Sequence, residues 1–304
     1  MEEEIRAAAF RWISSQYEMH GGSIPRPILE FGFEHNGQRI TLVGPAGIWK
    51  PRQFSIIPIP ITSTFQGPYD DTFTDDGLLV YRYRGNDPSH QDNVALREAM
   101  RTRTPLIYFH GVVRGRYLPI WPVFIVEDHP ESLSCLVAID PAYAFGGTAV
   151  ESIELDWPQR RESVLGIRKY IASFTLRRLH QSAFRETVLS AYAGTCALCR
   201  LKHRELLDAA HIIADSQHKG DPVVQNNICL CKIHHAAFDQ NIVGVTPDYI
   251  IRVRSDILEE TDGPMLLHGL QGLHKNRLVL PHRVSDRPDP ERLEMRSNDF
   301  RKAG

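Results

Sequence analysis

Four potential metal ligands occur in two short pairs and constrain the fold of the C-terminal part of the chain. Cys196 and Cys199 form a Cys-x2-Cys pair, Cys231 and His234 form a Cys-x2-His pair, and residues 200–230 lie between them. Three thiolates and one imidazole suit a tetrahedral structural Zn²⁺ site, in which two chelating pairs hold one ion. The spacing therefore predicts a small module folded around zinc.

The remaining cysteine usage favours metal binding over a disulfide framework. The chain has five cysteines, an odd number, and four of them lie within the 36 residues 196–231. The start MEEEIRAAAF is acidic where a secretory signal is basic, and no stretch approaches the roughly 18 uninterrupted apolar residues of a membrane span. We therefore expect a cytoplasmic protein without a membrane segment. Cys229, which is not part of either ligand pair, is interpreted as a buried core residue.

Three further polar residues lie in order within and beside this cluster. They are His211 in DAAHII, Asn226 in NNICLC and His235 in HHAAFD. Residues 175–245, which contain them, resemble the HNH nuclease family, and in particular its zinc-containing branch. The resemblance implies a ββα-metal module in which His211, Asn226 and His235 are the catalytic residues.

The residue types suit phosphodiester hydrolysis, which needs an activated water and a cation that neutralises charge on the phosphate. The resemblance implies that His211 is the general base, since a neutral imidazole can accept the proton of the water. It also implies that Asn226 holds His211 in orientation through the neighbouring loop. His235 would then bind the catalytic Mg²⁺ or Mn²⁺.

The second ligand of the catalytic ion is open between two acids. Asp239 lies four residues after His235 and on the same helix face. Asp208 is the alternative, but on an extended strand it lies on the opposite face from His211, so a bulge or turn would be needed to bring both to one ion. Many family members carry Asp or His immediately before the general base, where this chain has Ala210.

The N-terminal half has a different character. From about residue 32 to residue 139, short runs such as GLLVYRYR, PLIYFHGVV and WPVFIVE alternate with Gly, Pro, Asn and Asp, which predicts a twisted sheet or barrel. Helices are expected near 1–18 and 92–102, and Pro58 and Pro60 indicate an edge or irregular strand. The predicted class is α+β, with a β-sheet or barrel domain over 1–150, a helical linker over 151–190 and a zinc-containing domain with a C-terminal extension over 191–304. The resemblance to HNH nucleases implies that the last domain is the nuclease, and the resemblance described next implies that the first is a DNA-reading domain.

Residues 67–87, GPYDDTFTDDGLLVYRYRGND, resemble the SRA (YDG) domain, a PUA-like β-barrel that flips a modified cytosine into a pocket. A flipped base needs aromatic faces for stacking and an acceptor for the cytosine amino group. The resemblance implies six pocket residues: Tyr69 and Tyr83 to stack, Asp71 to accept, Asp70 and Tyr81 as substitutes if the alignment slips by one residue, and Trp49 as a lining residue. The alternative is that these aromatics are core or edge-strand residues and that the acids form turns.

The charge of the chain restricts where nucleic acid could bind. The net charge is −2, so binding must rest on local basic surfaces. The segment 160–185 is rich in Arg and Lys, with Glu162 as its single acid, and it is either a solvated helix face or such a surface.

These features together predict a restriction-type DNA endonuclease that depends on modification. It would recognise 5-methyl- or 5-hydroxymethylcytosine in double-stranded DNA by base flipping and cut with its HNH site. One HNH site cuts one strand, so double-strand cleavage would need a homodimer or two binding events. Two alternatives are open: an HNH endonuclease that acts on unmodified or damaged DNA, and a non-catalytic zinc-stabilised reader of DNA.

Overall fold

The computed structural model divides the 304-residue chain into two compact units, Met1–Ser182 and Ala183–Gly304. It describes residues 1–65, 72–74, 78–139, 181–214, 217 and 219–303. Most of the predicted linker 151–190 and of the basic segment 160–185 therefore lies outside the described residues. No helix in the described part of the chain is long and apolar enough to cross a membrane.

The first unit contains three α-helices and nine strands within its described residues. The helices are α1 (Glu2–Met19), α2 (Arg26–Phe31) and α3 (Gln91–Thr102). The strands are β1 (Ile24–Pro25), β2 (Phe33–His35), β3 (Gln38–Ile40), β4 (Pro60–Thr62), β5 (Thr72–Phe73), β6 (Leu79–Arg82), β7 (Leu106–Val113), β8 (Arg116–His129) and β9 (Ser134–Ile139).

Seven of these strands form one sheet with the order β4-β7-β8-β9-β6-β5, and β1 pairs with β8. The pairing of β4 with β7 is parallel and the other pairings are antiparallel. The central strands β7 and β8 are buried along most of their length, which explains why their sequences read as long apolar runs. Helix α1 buries Ile5, Ala9 and Ile13, residues spaced four apart on one face.

The described sheet is open. Its end strands β4 and β5 are not paired with each other, whereas a barrel requires every strand to have two neighbours. A closed barrel is thus not found within the described residues, and the SRA/PUA-like identity of this unit stays a prediction. Pro60 opens β4 at one end of the strand order, and Ile61 of this strand also forms an isolated antiparallel bridge with Ile48.

The second unit is a mixed module built on two small antiparallel sheets. Its helices are α4 (181–191), α5 (Lys232–Asp239), α6 (Ser255–Glu259), α7 (Pro264–Gly269) and α8 (Pro290–Lys302). Its strands are β10 (Leu207–His211), β11 (Asn227–Cys231), β12 (Val243–Val245) and β13 (Ile251–Val253). Strands β10 and β11 pair in register from Leu207 with Cys231 to His211 with Asn227, and α5 follows β11 directly.

Candidate active site and metal centre

The two predicted ligand pairs converge. Cys196, Cys199, Cys231 and His234 each offer a ligand atom, and these atoms all lie within 4.8 Å of one another. His234 Nδ1 is 3.1 Å from Cys231 Sγ and 3.7 Å from Cys196 Sγ. Such a Cys3His set could hold a metal ion, and its soft donors suit zinc.

The outer nitrogen of His234 has a backbone partner. His234 Nε2 lies 2.7 Å from the carbonyl oxygen of Gly269. Donation from Nε2–H to this carbonyl leaves Nδ1 unprotonated and directed at the cysteines, an arrangement common for histidine ligands of metals. The C-terminal segment that carries Gly269 thus helps to orient a ligand of the cluster.

Hydrogen bonds within the cluster favour a thiolate. The hydrogen bond from Cys231 lowers the pKa of Cys196 to about 3, against the effect of burial and with help from His234. The same contact raises the pKa of Cys231. Burial raises the pKa of Cys229 to about 12, and this thiol lies in the core outside the cluster. Cys229 is therefore a packing residue, as interpreted from the sequence.

The neighbouring His235 faces a different environment. Its Nδ1 lies 3.6 Å from Asp208 Oδ2, and its Nε2 lies 3.4 Å from Asp239 Oδ2. The hydrogen bond with Asp208 raises the pKa of His235 despite burial, and the charges of Asp239 and Asp208 act in the same direction. The two carboxylates thus flank the imidazole at different nitrogens.

Helix α4 holds the start of β10 through an arginine. Arg185 Nη2 donates to the Leu207 carbonyl over 2.6 Å, and Arg185 Nε lies 3.4 Å from Asp208 Oδ1. Burial opposes ionisation of Asp208, but hydrogen bonds and charges from His235 and Arg185 lower its pKa on balance. Arg185 also pairs with the fully buried Glu186 at 2.9 Å. Asp208 is therefore held as a carboxylate.

His211 stands at the end of β10 and lines a cleft. Its ring lies 5.9 Å from the ring of Phe184 on α4. Asn226 is fully buried, accepts a hydrogen bond from the Ile213 amide at 3.0 Å and donates to the Ile213 carbonyl at 2.9 Å. Asn226 therefore fixes the backbone two residues beyond His211, and its role in orienting a catalytic base stays a prediction.

The cleft has a volume of about 410 Å³. It is lined by His211, Ile212, Ile213, Ala214, Gln217, His235, Asp239, Arg296 and Asp299. His211, His235 and Asp239 are thus brought to one cleft, whereas Asp208 does not line it. The ladder of β10 and β11 runs without a register shift, so Asp208 and His211 project to different sides, as expected for a strand without a bulge.

Three polar residues of the cleft were missed from the sequence. Gln217 lies in the loop between β10 and β11, and Arg296 and Asp299 lie on α8. The sequence predicted only a short helix there. The one signal was its cap, Asp289 followed by Pro290, which marks a helix start but does not show where the helix docks.

The predicted base-binding residues are only partly described. Tyr69, Asp70 and Asp71 lie outside the described residues. Tyr81 and Tyr83 line a cavity of about 200 Å³ in the first unit, and both are buried in its core.

Tyr83, Trp49 and Thr62 differ in the hydrogen bonds that their side chains make. Burial and the hydrogen bond to Asp128 raise the pKa of Tyr83. Trp49 donates from its indole N–H to Thr41 and is not among the residues that line the cavity. The cavity is also lined by Thr62, whose buried hydroxyl has no hydrogen-bond partner within the described residues.

Comparison with known proteins identifies one segment. Residues 196–246 match the family described as HNH endonuclease, and no curated protein matches the chain. Among solved structures, the chain is similar to one titled "Modification dependent TagI restriction endonuclease", at 15% sequence identity and a TM-score of 0.28, over 84% of this chain and 85% of that chain. A TM-score this low does not establish a shared fold. The assignment of residues 196–246 as an HNH endonuclease domain therefore rests on the family match alone.

Proposed function

Because residues 196–246 form an HNH endonuclease domain, the chain is a DNA endonuclease, and we propose that it hydrolyses double-stranded DNA at the cleft between His211 and His235. We also propose that the first unit directs it to modified cytosine. One observation carries the hydrolytic proposal: His211, His235 and Asp239 line one cleft. On the same helix, the residue before His235 belongs to the Cys3His cluster.

His211 is suited to act as general base. A neutral imidazole accepts the proton of the attacking water near neutral pH. The ring lies against Phe184, and Asn226 fixes the backbone at Ile213. An amide performs this positioning at any pH, because it does not titrate. The base would therefore be oriented before substrate arrives.

The donors around His235 fit a divalent ion such as Mg²⁺ or Mn²⁺, since they combine carboxylate oxygens with an imidazole nitrogen. Asp208 and Asp239 lie at different ring nitrogens of His235, so they approach from different sides. Asp239 lines the cleft with His211, and Asp208 does not. We therefore assign the ion to His235 Nε2 and Asp239, and we assign Asp208 to orient His235 through Nδ1. The bound ion would neutralise charge on the phosphate and on the leaving oxygen.

The Cys3His cluster is assigned to a structural Zn²⁺. Its four ligands are all supplied by the protein, which is typical of a structural zinc site and leaves no position for substrate. The cluster joins the turn at Cys196 and Cys199 to the first turn of α5. Zinc binding there would fix the helix that presents His235.

The proposal for modified cytosine rests on the cavity of the first unit. Its volume, about 200 Å³, equals that of roughly seven waters, which is the size class of one substituted six-membered ring. Two tyrosines predicted for the base pocket, Tyr81 and Tyr83, are among its walls. The hydroxyl of Thr62, which has no hydrogen-bond partner among the residues that the structure describes, offers a polar contact. Asp71 stays the proposed acceptor of the cytosine amino group, with Asp70 as its substitute.

The test is cleavage of three matched plasmids by the full chain in the presence of Mg²⁺ or Mn²⁺. One plasmid is unmodified, one carries 5-methylcytosine and one carries 5-hydroxymethylcytosine. We expect cutting of modified DNA by the wild type, none by His211→Ala, and normal cutting by the control His203→Ala, whose exposed histidine pairs with Glu205. Equal cutting of all three plasmids would contradict the modification claim, and no cutting with either metal would contradict the nuclease.

A homodimer is proposed for double-strand cleavage, because one cleft attacks one strand. The yield of linear over nicked plasmid should then rise with protein concentration at constant total turnover. A linear fraction that is independent of concentration would argue for two successive cuts by one chain.

A further inference from the structure

The candidate active-site cleft contains one arginine from outside the segment that matches the HNH family. Arg296 lies on α8, and the family match ends at residue 246. Of the described residues that line the cleft, Arg296 is the one with a permanent positive charge. The other charged lining residues are acids and histidines. A phosphate that enters the cleft therefore meets Asp239 and Asp299, and Arg296 is the side chain available to offset them.

Helix α8 is firmly attached to the cleft wall. Leu293 is fully buried in the core of the second unit. The Asp289 amide donates to the Gln225 carbonyl over 2.9 Å, next to Asn226. One turn before Arg296, Arg292 lies 3.1 Å from Asp221 Oδ2 in the loop between β10 and β11. These contacts fix the distance between α8 and the loop that follows His211.

The guanidinium of Arg296 is held in place with part of its donor edge unused. Both of its hydrogen bonds to described residues use Nη2, which donates to the carbonyls of Phe238 and Asp239 at the end of α5. Its Cζ lies 4.8 Å from the centre of the Phe238 ring. Nε and Nη1 remain to bind an anion, and an arginine whose position is fixed loses little entropy when it does so.

We propose that Arg296 is a further catalytic residue of this nuclease, whose guanidinium binds a non-bridging oxygen of the phosphate that is cleaved. The inference rests on the proposed hydrolysis in this cleft. It assigns a function to the C-terminal helix, which supplies a charge that the HNH segment itself lacks there. A fixed N–H donor that binds charge developing in the transition state increases the rate of the step, and not only the affinity.

The test compares full-length Arg296→Ala and Arg296→Lys with Arg301→Ala, which removes the same charge from an exposed position on the same helix. Each is assayed on cleavable DNA and on bis(4-nitrophenyl) phosphate, a small phosphodiester without flanking phosphates. We expect Arg296→Ala to lose about 100-fold in kcat/KM on both substrates. Arg296→Lys should recover part of this loss as a point charge, and Arg301→Ala should stay within about twofold of wild type.

A purely structural role for Arg296, as a cap on the end of α5, predicts different results. The equilibrium constant for DNA binding is therefore also measured against salt concentration, without divalent ions. Loss of a phosphate contact should reduce the slope of log K against log salt by about one, and loss of a helix cap should not change it. This readout needs no cleavage, so it tests Arg296 even if the hydrolytic proposal fails.

Three results would overturn the proposal. The first is full activity of folded Arg296→Ala on both substrates. The second is a loss on DNA with normal hydrolysis of the small diester, because this would place the contact on a flanking phosphate. The third is an unchanged salt slope. If Arg296→Ala fails to fold, Arg296→Gln, which removes the charge but keeps an N–H donor for the carbonyls of Phe238 and Asp239, is judged by the same criteria.

Discussion

His234 and His235 follow one another on α5 and take up different environments. Their directions differ by about 100° around the helix axis. His234 is buried among the cysteines, whereas His235 is half-buried between Asp208 and Asp239. One helix start thereby connects a structural metal cluster to the candidate catalytic cleft. The position of each acid relative to the imidazole then decides which of them reaches the catalytic ion.

We expect substitution of Asp239 and substitution of Asp208, the two acids beside His235, to weaken metal binding to different extents. Asp239→Asn removes a proposed ligand, so the Mn²⁺ concentration for half-maximal cleavage should rise by more than about 100-fold, the upper end of the effect of losing an outer-shell partner. Asp208→Asn removes a contact that orients His235, and a rise of about 10-fold is expected. Metal titrations of both variants measure this, with Asp248→Asn, an exposed acid of the same unit, as the control. If Asp208→Asn raised the Mn²⁺ concentration for half-maximal cleavage more than Asp239→Asn did, Asp208 would be the ligand.

The relative directions of the clustered histidines and cysteines could be predicted from the sequence, but the position of Arg296 in the cleft could not. Cys231, His234 and His235 lie within about one helical turn, so their spacing along the chain already defines their relative directions. Arg296 lies 57 residues beyond Asp239, and its place in the cleft depends on how α8 packs. No local sequence pattern indicates how α8 packs, because an arginine on a polar helix has the same position in the sequence pattern whether it faces solvent or a cleft.

At the scale of elements, the Cys3His cluster connects the turn after α4 to the start of α5. Cys196→Ser removes one of four ligands, so we expect zinc content below one ion per chain and a lower melting temperature. Structural zinc contributes on the order of 10 kcal/mol of binding free energy in small zinc modules, and this energy stabilises the fold. Metal analysis and thermal unfolding check the prediction. Cys229→Ala, a buried thiol outside the cluster, should keep its zinc, and a stable, fully loaded Cys196→Ser would contradict it.

The docking of α8 on β12 depends on a glycine. A Cβ at Gly244 would lie 2.6 Å from the ring of Phe300 on α8, so Gly244→Ala should destabilise the second unit by about 1–3 kcal/mol. It should also reduce cleavage, because Arg296 lies one turn before Phe300. Denaturant unfolding measures the first effect. Gly263→Ala is the matched control, since a Cβ there has nothing within 4 Å.

The same clash gives a double-mutant test. Phe300→Ala removes the ring, so adding Gly244→Ala to it should cost little further stability. If Gly244→Ala lowered the free energy of unfolding equally in the wild type and in Phe300→Ala, α8 would not be held at this contact.

Among the elements, the helices were easier to predict than the topology. The expected helices at 1–18 and 92–102 correspond to α1 and α3, whose ends differ from the expected ones by at most one residue. Their apolar residues recur at local spacings that a sequence displays directly. Strand order depends on pairings between distant segments, such as the parallel pairing of β4 with β7, so the runs of Val, Ile and Tyr predicted strands without deciding between an open sheet and a barrel.

At the scale of the whole molecule, the two units allow recognition and hydrolysis to be changed separately. Thr62→Val keeps the shape of the cavity in the first unit and removes a buried hydroxyl that has no partner within the described residues. If this hydroxyl binds the base, the preference for modified over unmodified DNA should fall by about 5- to 10-fold, the value of one hydrogen bond. Hydrolysis of bis(4-nitrophenyl) phosphate should not change, because the small diester needs only the cleft of the second unit. His211→Ala should lose activity on both substrates, and a Thr62→Val enzyme with an unchanged preference would remove this cavity from recognition.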